Sequence, residues 1–319
     1  MNPIRTAVIV NPVKVDDLDG YRKSVIEALA AAGHPEPHWL ETTPEDPGTG
    51  QAEQALSEGA QLVYACGGDG TVRAVAEGLA GTGVPLAVLC AGTGNLLARN
   101  LGLTAGLEEA FETGLSGRDR AIDLGVADGH RFAVMAGMGI DAGMITDTPE
   151  PAKKRLGWPA YAIGVVRQLR RRPMHVTVRV DGGRPLRRRA RMVVVGNVGE
   201  LHAGLLLLPD AVPDDGMLDV LILSPSTPAD WLRVAVRILR RHPGEDRRIV
   251  RLRGEHIEIT TDRPYDRECD GEPIGAAASL TVRVEPGALL LRVPADDHDA
   301  DDQDAGSQDA DHAGPQDRG

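Results

Sequence analysis

The sequence predicts an N-terminal α/β domain built on a parallel sheet, followed by a second, mainly antiparallel β domain. Two observations carry this expectation. Up to about residue 122, short and wholly apolar runs alternate with stretches of helical spacing, as in parallel sheets covered by helices on both faces. Beyond Asp123 the apolar residues recur at every second position and Asp-Gly pairs join the runs, as in strands with one buried face and tight turns.

The first strand is Ala7–Val10, ending at Asn11-Pro12. Leu18, Tyr21, Val25 and Leu29 then share one face of a helix closed by Gly33. His38–Glu41 reads as a weaker strand and Gly50–Ser57 as a short helix. Leu62–Cys66 is a buried strand running into Gly67-Gly68-Asp69-Gly70-Thr71, and a helix follows as far as Leu79. Pro85–Cys90 is another buried strand, ending at Ala91-Gly92-Thr93-Gly94-Asn95 before a further helix. In the second part, Asp128-Gly129 and Asp181-Gly182-Gly183 are turns. Val176, Val178 and Val180, and later Leu280, Val282 and Val284, mark period-two strands. Helices are predicted over Leu156–Arg172 and Ala229–Arg241, and a last strand near Leu289–Val293. The division is therefore 1–122, 123–294 and a tail, 295–319, with no internal repeat.

The net charge of −12 is uneven. The tail holds nine Asp and one Arg with almost no apolar residue, the composition of a disordered, solvating segment. Thirteen Lys or Arg and one acid, Asp181, lie between Lys153 and Arg191, which reads as a solvated basic face or as a surface that attracts phosphate. Aromatic residues are scarce around this segment, which argues against stacking on nucleic acid. Trp158, Tyr161, Val165 and Leu169 share a helical face bordered by Arg167 and Arg170–Arg172. Such a stripe more often faces a core than a membrane interface. No stretch is apolar enough to span a bilayer and the N-terminus has no signal-peptide layout. Any contact with lipid is therefore expected to be peripheral. Three scattered cysteines (Cys66, Cys90, Cys269) fit a reducing cytoplasm. His175, His202 and His242 show no metal spacing.

The chemistry points to the two glycine-rich turns. Each follows a buried strand and opens a helix, where open parallel sheets bind ligands. Glycine lets the backbone approach a ligand, and the N–H groups of the following helix face an anion. Gly67, Gly68 and Gly70 thus suit a phosphate cradle, Thr71 adds a hydroxyl, and Gly92, Thr93, Gly94 and Asn95 repeat the arrangement one strand later. Asp69 is out of place among phosphates unless it serves Mg²⁺ or the attacking hydroxyl. The alternative is that it caps a helix. No Walker sequence and no G-x-G-x-x-G at a strand–helix junction is present.

These residues resemble the diacylglycerol kinase catalytic-domain family, which includes bacterial lipid kinases and sphingosine-kinase relatives. Five motifs carry the resemblance in order: Asn11-Pro12, Gly67–Thr71, Gly92–Asn95 with Ala98-Arg99, Pro213-Asp214-Asp215-Gly216, and Asp270-Gly271-Glu272. The resemblance implies an NAD-kinase-like α/β nucleotide domain, a β-sandwich second domain and an active site between them. It further implies ATP held by Asn11, Gly67–Thr71 and Gly92–Asn95, and Mg²⁺ chemistry at Asp69. Glu272 would be the base that takes the proton of a lipid hydroxyl, with diacylglycerol the expected acceptor. Asp215 and the carbonyls of Val212 and Met217 would form a structural Mg²⁺ site. Asp123 would serve either the metal network or a turn. Homodimers occur in the family. Two positions depart from its pattern: Val13-Lys14-Val15-Asp16 stands where a Ser-Gly pair is usual, and Leu96 stands where Asp is frequent. The alternatives left open are a kinase of another lipid alcohol (a sphingoid base, ceramide, phosphatidylglycerol or an isoprenol), a kinase of a soluble substrate as in NAD kinases, and an inactive nucleotide or lipid sensor.

Overall fold

The computed structural model describes residues 3–92, 94–103, 106–139, 173–202, 205–239 and 246–295. The helix predicted over Leu156–Arg172 and nearly all of the acidic tail lie outside the described residues.

The first four strands, β1 (Thr6–Val10), β2 (His38–Glu41), β3 (Leu62–Gly67) and β4 (Leu86–Cys90), are parallel in the order β2-β1-β3-β4. Every residue of β1 and β3 is buried, because helices cover both faces, as the continuous apolar runs predict. On one face α1 (Leu18–Ala31) and α5 (Leu107–Ser116) set Val25, Leu29, Ala110 and Phe111 against Val8, Val10, Leu62 and Tyr64. On the other, α2 (Thr49–Ser57) and α3 (Asp69–Leu79) set Ala52, Ala55, Val72 and Val75 against Ala7, Ile9, Val63 and Val88. The short helix α4 (Leu96–Asn100) follows β4.

In the second part, β5 (Arg118–Ala127) and β6 (His130–Phe132) form the expected hairpin. Its turn residues Asp128 and Gly129 take φ of 47° and 95°, the conformation for which Asp-Gly is selected. Then come β7 (Met135–Met138), β8 (Met174–Val180), β9 (Leu186–Ala190) and β10 (Met192–Gly196), a two-stranded ribbon of β11 (Glu200–His202) and β12 (Leu205–Leu206), and β13 (Leu218–Leu223). The chain closes with α6 (Pro228–Leu239), β14 (Ile249–Gly254), β15 (His256–Cys269) and β16 (Glu272–Val293). Ala136, Met138, Val193, Val195, Ile257, Ile259, Leu280 and Val282 build the interior of this part. The described portion of the basic segment, 173–191, includes the strands β8 and β9, and Arg187, Arg188 and Arg189 of β9 are exposed.

The predicted last strand, Leu289–Val293, is only the end of β16, which runs for 22 residues. Between Glu285 and Leu289 the pairing with β5 slips at a bulge, with Gly287 at φ 59°. β16 pairs first with β15, then with β5, and at Leu291 runs parallel to Leu86 of β4. Among the described residues, fourteen strands thus join into one sheet. One core is likewise shared: Ala7, Ile9 and Leu97 of the first part cluster with Val134, Val194 and Leu221 of the second.

Candidate functional site

Three of the sequence motifs converge at the C-terminal ends of β1, β3 and β4. The Asn11 N–H donates to the Cys66 carbonyl at 2.8 Å. Its Oδ1 accepts the Val13 N–H at 3.1 Å, and its Nδ2 lies 3.4 Å from the Thr71 hydroxyl. Helix α3 starts from Gly68, and among the described residues no side chain caps it. Its first N–H groups therefore point outward with the positive end of the helix dipole. A Cβ on Gly92 would sit 2.7 Å from the Gly68 Cα, so the two glycine turns touch and only glycine fits between them.

The second turn differs from the first. Asp69 Oδ2 accepts the Asn95 N–H at 2.9 Å and Oδ1 accepts the Leu96 N–H at 2.6 Å. Asp69 does cap a helix, but it is α4, the helix of the other turn. Asn95 sits in the left-handed region at φ 48° and closes the turn by donating from Nδ2 to the Gly92 carbonyl at 2.8 Å. A Cβ on Gly94 would collide with the Asp69 carboxylate. The first turn is open to an anion, whereas the leading amides of the second are spent on Asp69. Thr93 lies outside the described residues. Each Asp69 oxygen has one N–H partner and keeps further acceptor capacity, so the group fits the metal ion of a magnesium nucleotide.

Glu272 stands just beyond a two-residue hairpin turn, with Asp270 at φ 47° and Gly271 at φ 85°. The Asp270 carboxylate anchors this turn by accepting three consecutive N–H groups, Ala133 (2.9 Å), Val134 (3.0 Å) and Met135 (2.8 Å). Burial pushes Asp270 up to about 6 against the pull of those donors and of Arg73 on α3. The charge of Arg73, one turn into the helix that begins at Asp69, also reaches Cys269. The Glu272 side chain is exposed and, among the described residues, has no hydrogen bond or ion pair.

The motif around Asp215 is organised by protein groups. The buried Asp123 carboxylate accepts the Gly216 N–H (2.7 Å) and the Gly287 N–H (2.8 Å), and its own N–H donates to the Pro213 carbonyl (2.7 Å). Arg120 pairs with Asp214 at 2.7 Å. Asp215 Oδ1 accepts the Met217 N–H at 3.0 Å, while its other oxygen pairs with the guanidinium of Arg253. The Arg253 guanidinium thus lies beside the one carboxylate among the expected ligands Val212, Asp215 and Met217. Among the described residues no group of three or more His, Cys, Asp or Glu is placed to hold a metal.

Sequence reasoning passed over Asn100, Asn197, Glu200 and Glu268. Asn197 is buried and donates to the carbonyls of Asp123 and Ala133; nothing in local periodicity marks such a residue. Glu268 is 2 % exposed and, among the described residues, neither of its oxygens is hydrogen-bonded. It lies in a cross-strand row with Gly137, Val194 and Leu221, so its neighbours offer no donor. Burial, reinforced by the charge of Asp270, pushes it up to about 7. The folded protein therefore retains a proton that the unfolded chain releases near pH 4.5, and stability falls as pH rises from there towards 7. Glu268→Gln removes this loss. The variant is expected to unfold at higher denaturant than wild type at pH 8, by up to about 3 kcal/mol, and to gain little at pH 4.5. Paired urea titrations at the two pH values check this.

Residues 5–127 match the diacylglycerol kinase catalytic domain, and residues 133–293 match the YegS C-terminal NAD kinase beta sandwich-like domain. A "Probable lipid kinase YegS-like" of Pseudomonas aeruginosa is 35% identical over 76% of this chain and 80% of its own length. The "Uncharacterized protein sll0036" of Synechocystis is 26% identical over 77% of the chain, which spans 58% of that longer protein. Among solved structures, a putative diacylglycerol kinase from Bacillus anthracis superposes with a TM-score of 0.75 at 23% identity, covering 90% of this chain and 94% of that one. That likeness shows the fold, an α/β domain joined to a β-sandwich.

Proposed function

Because the chain belongs to the diacylglycerol kinase catalytic-domain family of lipid kinases, in its YegS-like branch, we propose that it transfers the γ-phosphoryl group of ATP to the hydroxyl of a lipid, with diacylglycerol as the acceptor. The supporting observation is the start of α3 at Gly68, uncapped among the described residues and flanked by Asn11 and Thr71, with Glu272, unpaired among the same residues, on a hairpin whose Cys269 and Asp270 feel the charge of Arg73 of that helix. Phosphoryl transfer needs positioning and charge neutralisation more than covalent chemistry. The α3 amides, Asn11 and Thr71 hold the phosphate chain. Asp69 holds the second turn against the first and offers its remaining lone pairs to the magnesium ion of the nucleotide. When bound, that ion neutralises charge on the β- and γ-phosphates. Glu272 accepts the hydroxyl proton as the oxygen attacks.

No helix among the described residues is long and apolar enough to cross a membrane, and the acceptor is reached from the membrane surface. The test is transfer from radiolabelled ATP to a panel of lipid alcohols in mixed micelles. Label is expected in the phosphatidic acid extracted from diacylglycerol samples. Label confined to a sphingoid base, phosphatidylglycerol or an isoprenol would keep the lipid kinase and replace the acceptor. Label confined to NAD, or none at all, would end the reading.

A further inference from the structure

Helix α4 is held at both ends. At its start Asp69 takes the Asn95 and Leu96 amides. At its end Asn100 grips Glu200 of β11 as one peptide unit grips another. Its Nδ2 donates to the Glu200 carbonyl at 2.7 Å, and its Oδ1 accepts the Glu200 N–H at 2.8 Å. The same Nδ2 lies 2.8 Å from the Leu96 carbonyl, which fixes the carboxamide plane. Arg99 adds an ion pair to the Glu200 carboxylate at 3.0 Å. Beyond Glu200 the connection continues through main-chain groups. The Asn197 N–H donates to the Val134 carbonyl at 2.9 Å, and the Asn197 side chain reaches the Ala133 carbonyl at 3.2 Å. The Ala133, Val134 and Met135 amides are those held by Asp270, two residues before Glu272.

We infer that α4 is a strut between the nucleotide turns and the hairpin carrying Glu272, and that Asn100 is the positioning residue that joins it to the acceptor side. The inference rests on the kinase reading for its effect on turnover but not for its structural claim. β11 belongs to a two-stranded ribbon outside the main sheet, so its placement rests on such side-chain grips together with the burial of Leu201 in the shared core. Without Asn100 the second turn can shift against the hairpin while the first turn still binds phosphate. Misplacement of reacting groups by about 1 Å costs on the order of 10²-fold in rate.

The experiment compares wild type with Asn100→Ala, and with Asn100→Asp, which keeps the acceptor and loses the donor. Three quantities are read: steady-state kinetics, melting temperature, and amide hydrogen exchange with and without ATP. Both variants are expected to lose at least tenfold in kcat with KM for ATP changed less than threefold. Exchange at 95–96 and 198–202 should rise in both, and ATP should protect 198–202 in wild type only. Wild-type kcat in either folded variant, or unchanged exchange at those segments, would overturn the strut. A parallel loss in kcat and KM together with a fallen melting temperature would reduce Asn100 to a stability role and also overturn it. A wild type that neither transfers phosphate nor responds to ATP would end the kinase reading, while exchange without nucleotide still decides the strut.

Discussion

Glu272→Gln is expected to lower kcat by about 10²–10⁴-fold and to leave KM for ATP within about threefold. The carboxamide keeps the size and reach of the side chain but cannot take up a proton. The turn survives the change, because its geometry comes from Asp270 and Gly271 in the left-handed region and from the three N–H groups that Asp270 accepts. Glu272 is exposed and unpaired among the described residues, so no structural partner is lost and the melting temperature should stay within about 1 °C. Steady-state kinetics beside a thermal melt separate the two effects. A folded variant with wild-type turnover would remove Glu272 from proton transfer.

Asp69→Asn is expected to act twice. An amide has one acceptor atom where the carboxylate has two. One of the two amides, Asn95 or Leu96, then meets an NH₂ group and loses its partner, which costs on the order of 1–3 kcal/mol. The start of α4 should loosen, and both amides should exchange faster with deuterium. With the negative charge gone as well, kcat/KM for ATP should fall by about 10³-fold or more. Exchange and kinetics measured on one preparation distinguish the outcomes. Faster exchange with intact kinetics would make Asp69 a cap and nothing else. Slow exchange with lost kinetics would contradict the geometry at Asn95 and Leu96.

The parallel half of the fold was legible because its signals are local. β1 and β3 are unbroken apolar runs, and helices α1 and α3 carry regular spacing between clear stops. The turn at Asp128-Gly129 was legible for the same reason. β16 was not, because Pro286 and Gly287 carry a turn signature that only pairing with β5 overrides. In the site, the glycine turns were legible as places. The division of labour between them was not, because it depends on hydrogen bonds from Asp69 to residues 26 and 27 positions away. The ion pair of Asp215 with Arg253, 38 positions on, has no local signal in the sequence either. Glu268 and Asn100 are unremarkable letters in the sequence. Their meaning comes from a row of apolar neighbours and from a partner 100 positions away.

The long strand β16 has a consequence for how the protein is made. β4 takes a neighbour on its outer edge only when Leu291 arrives, so a nascent chain that has released its first four strands exposes an unpaired border until that residue has been made. Such borders invite pairing with other chains, and closing them over so long a stretch of sequence is slow. Glu272, the proposed proton acceptor, and the seam that seals the parallel half are carried on one piece of backbone. Truncation ahead of Glu272 would therefore remove the proposed base and leave that border open in the same step.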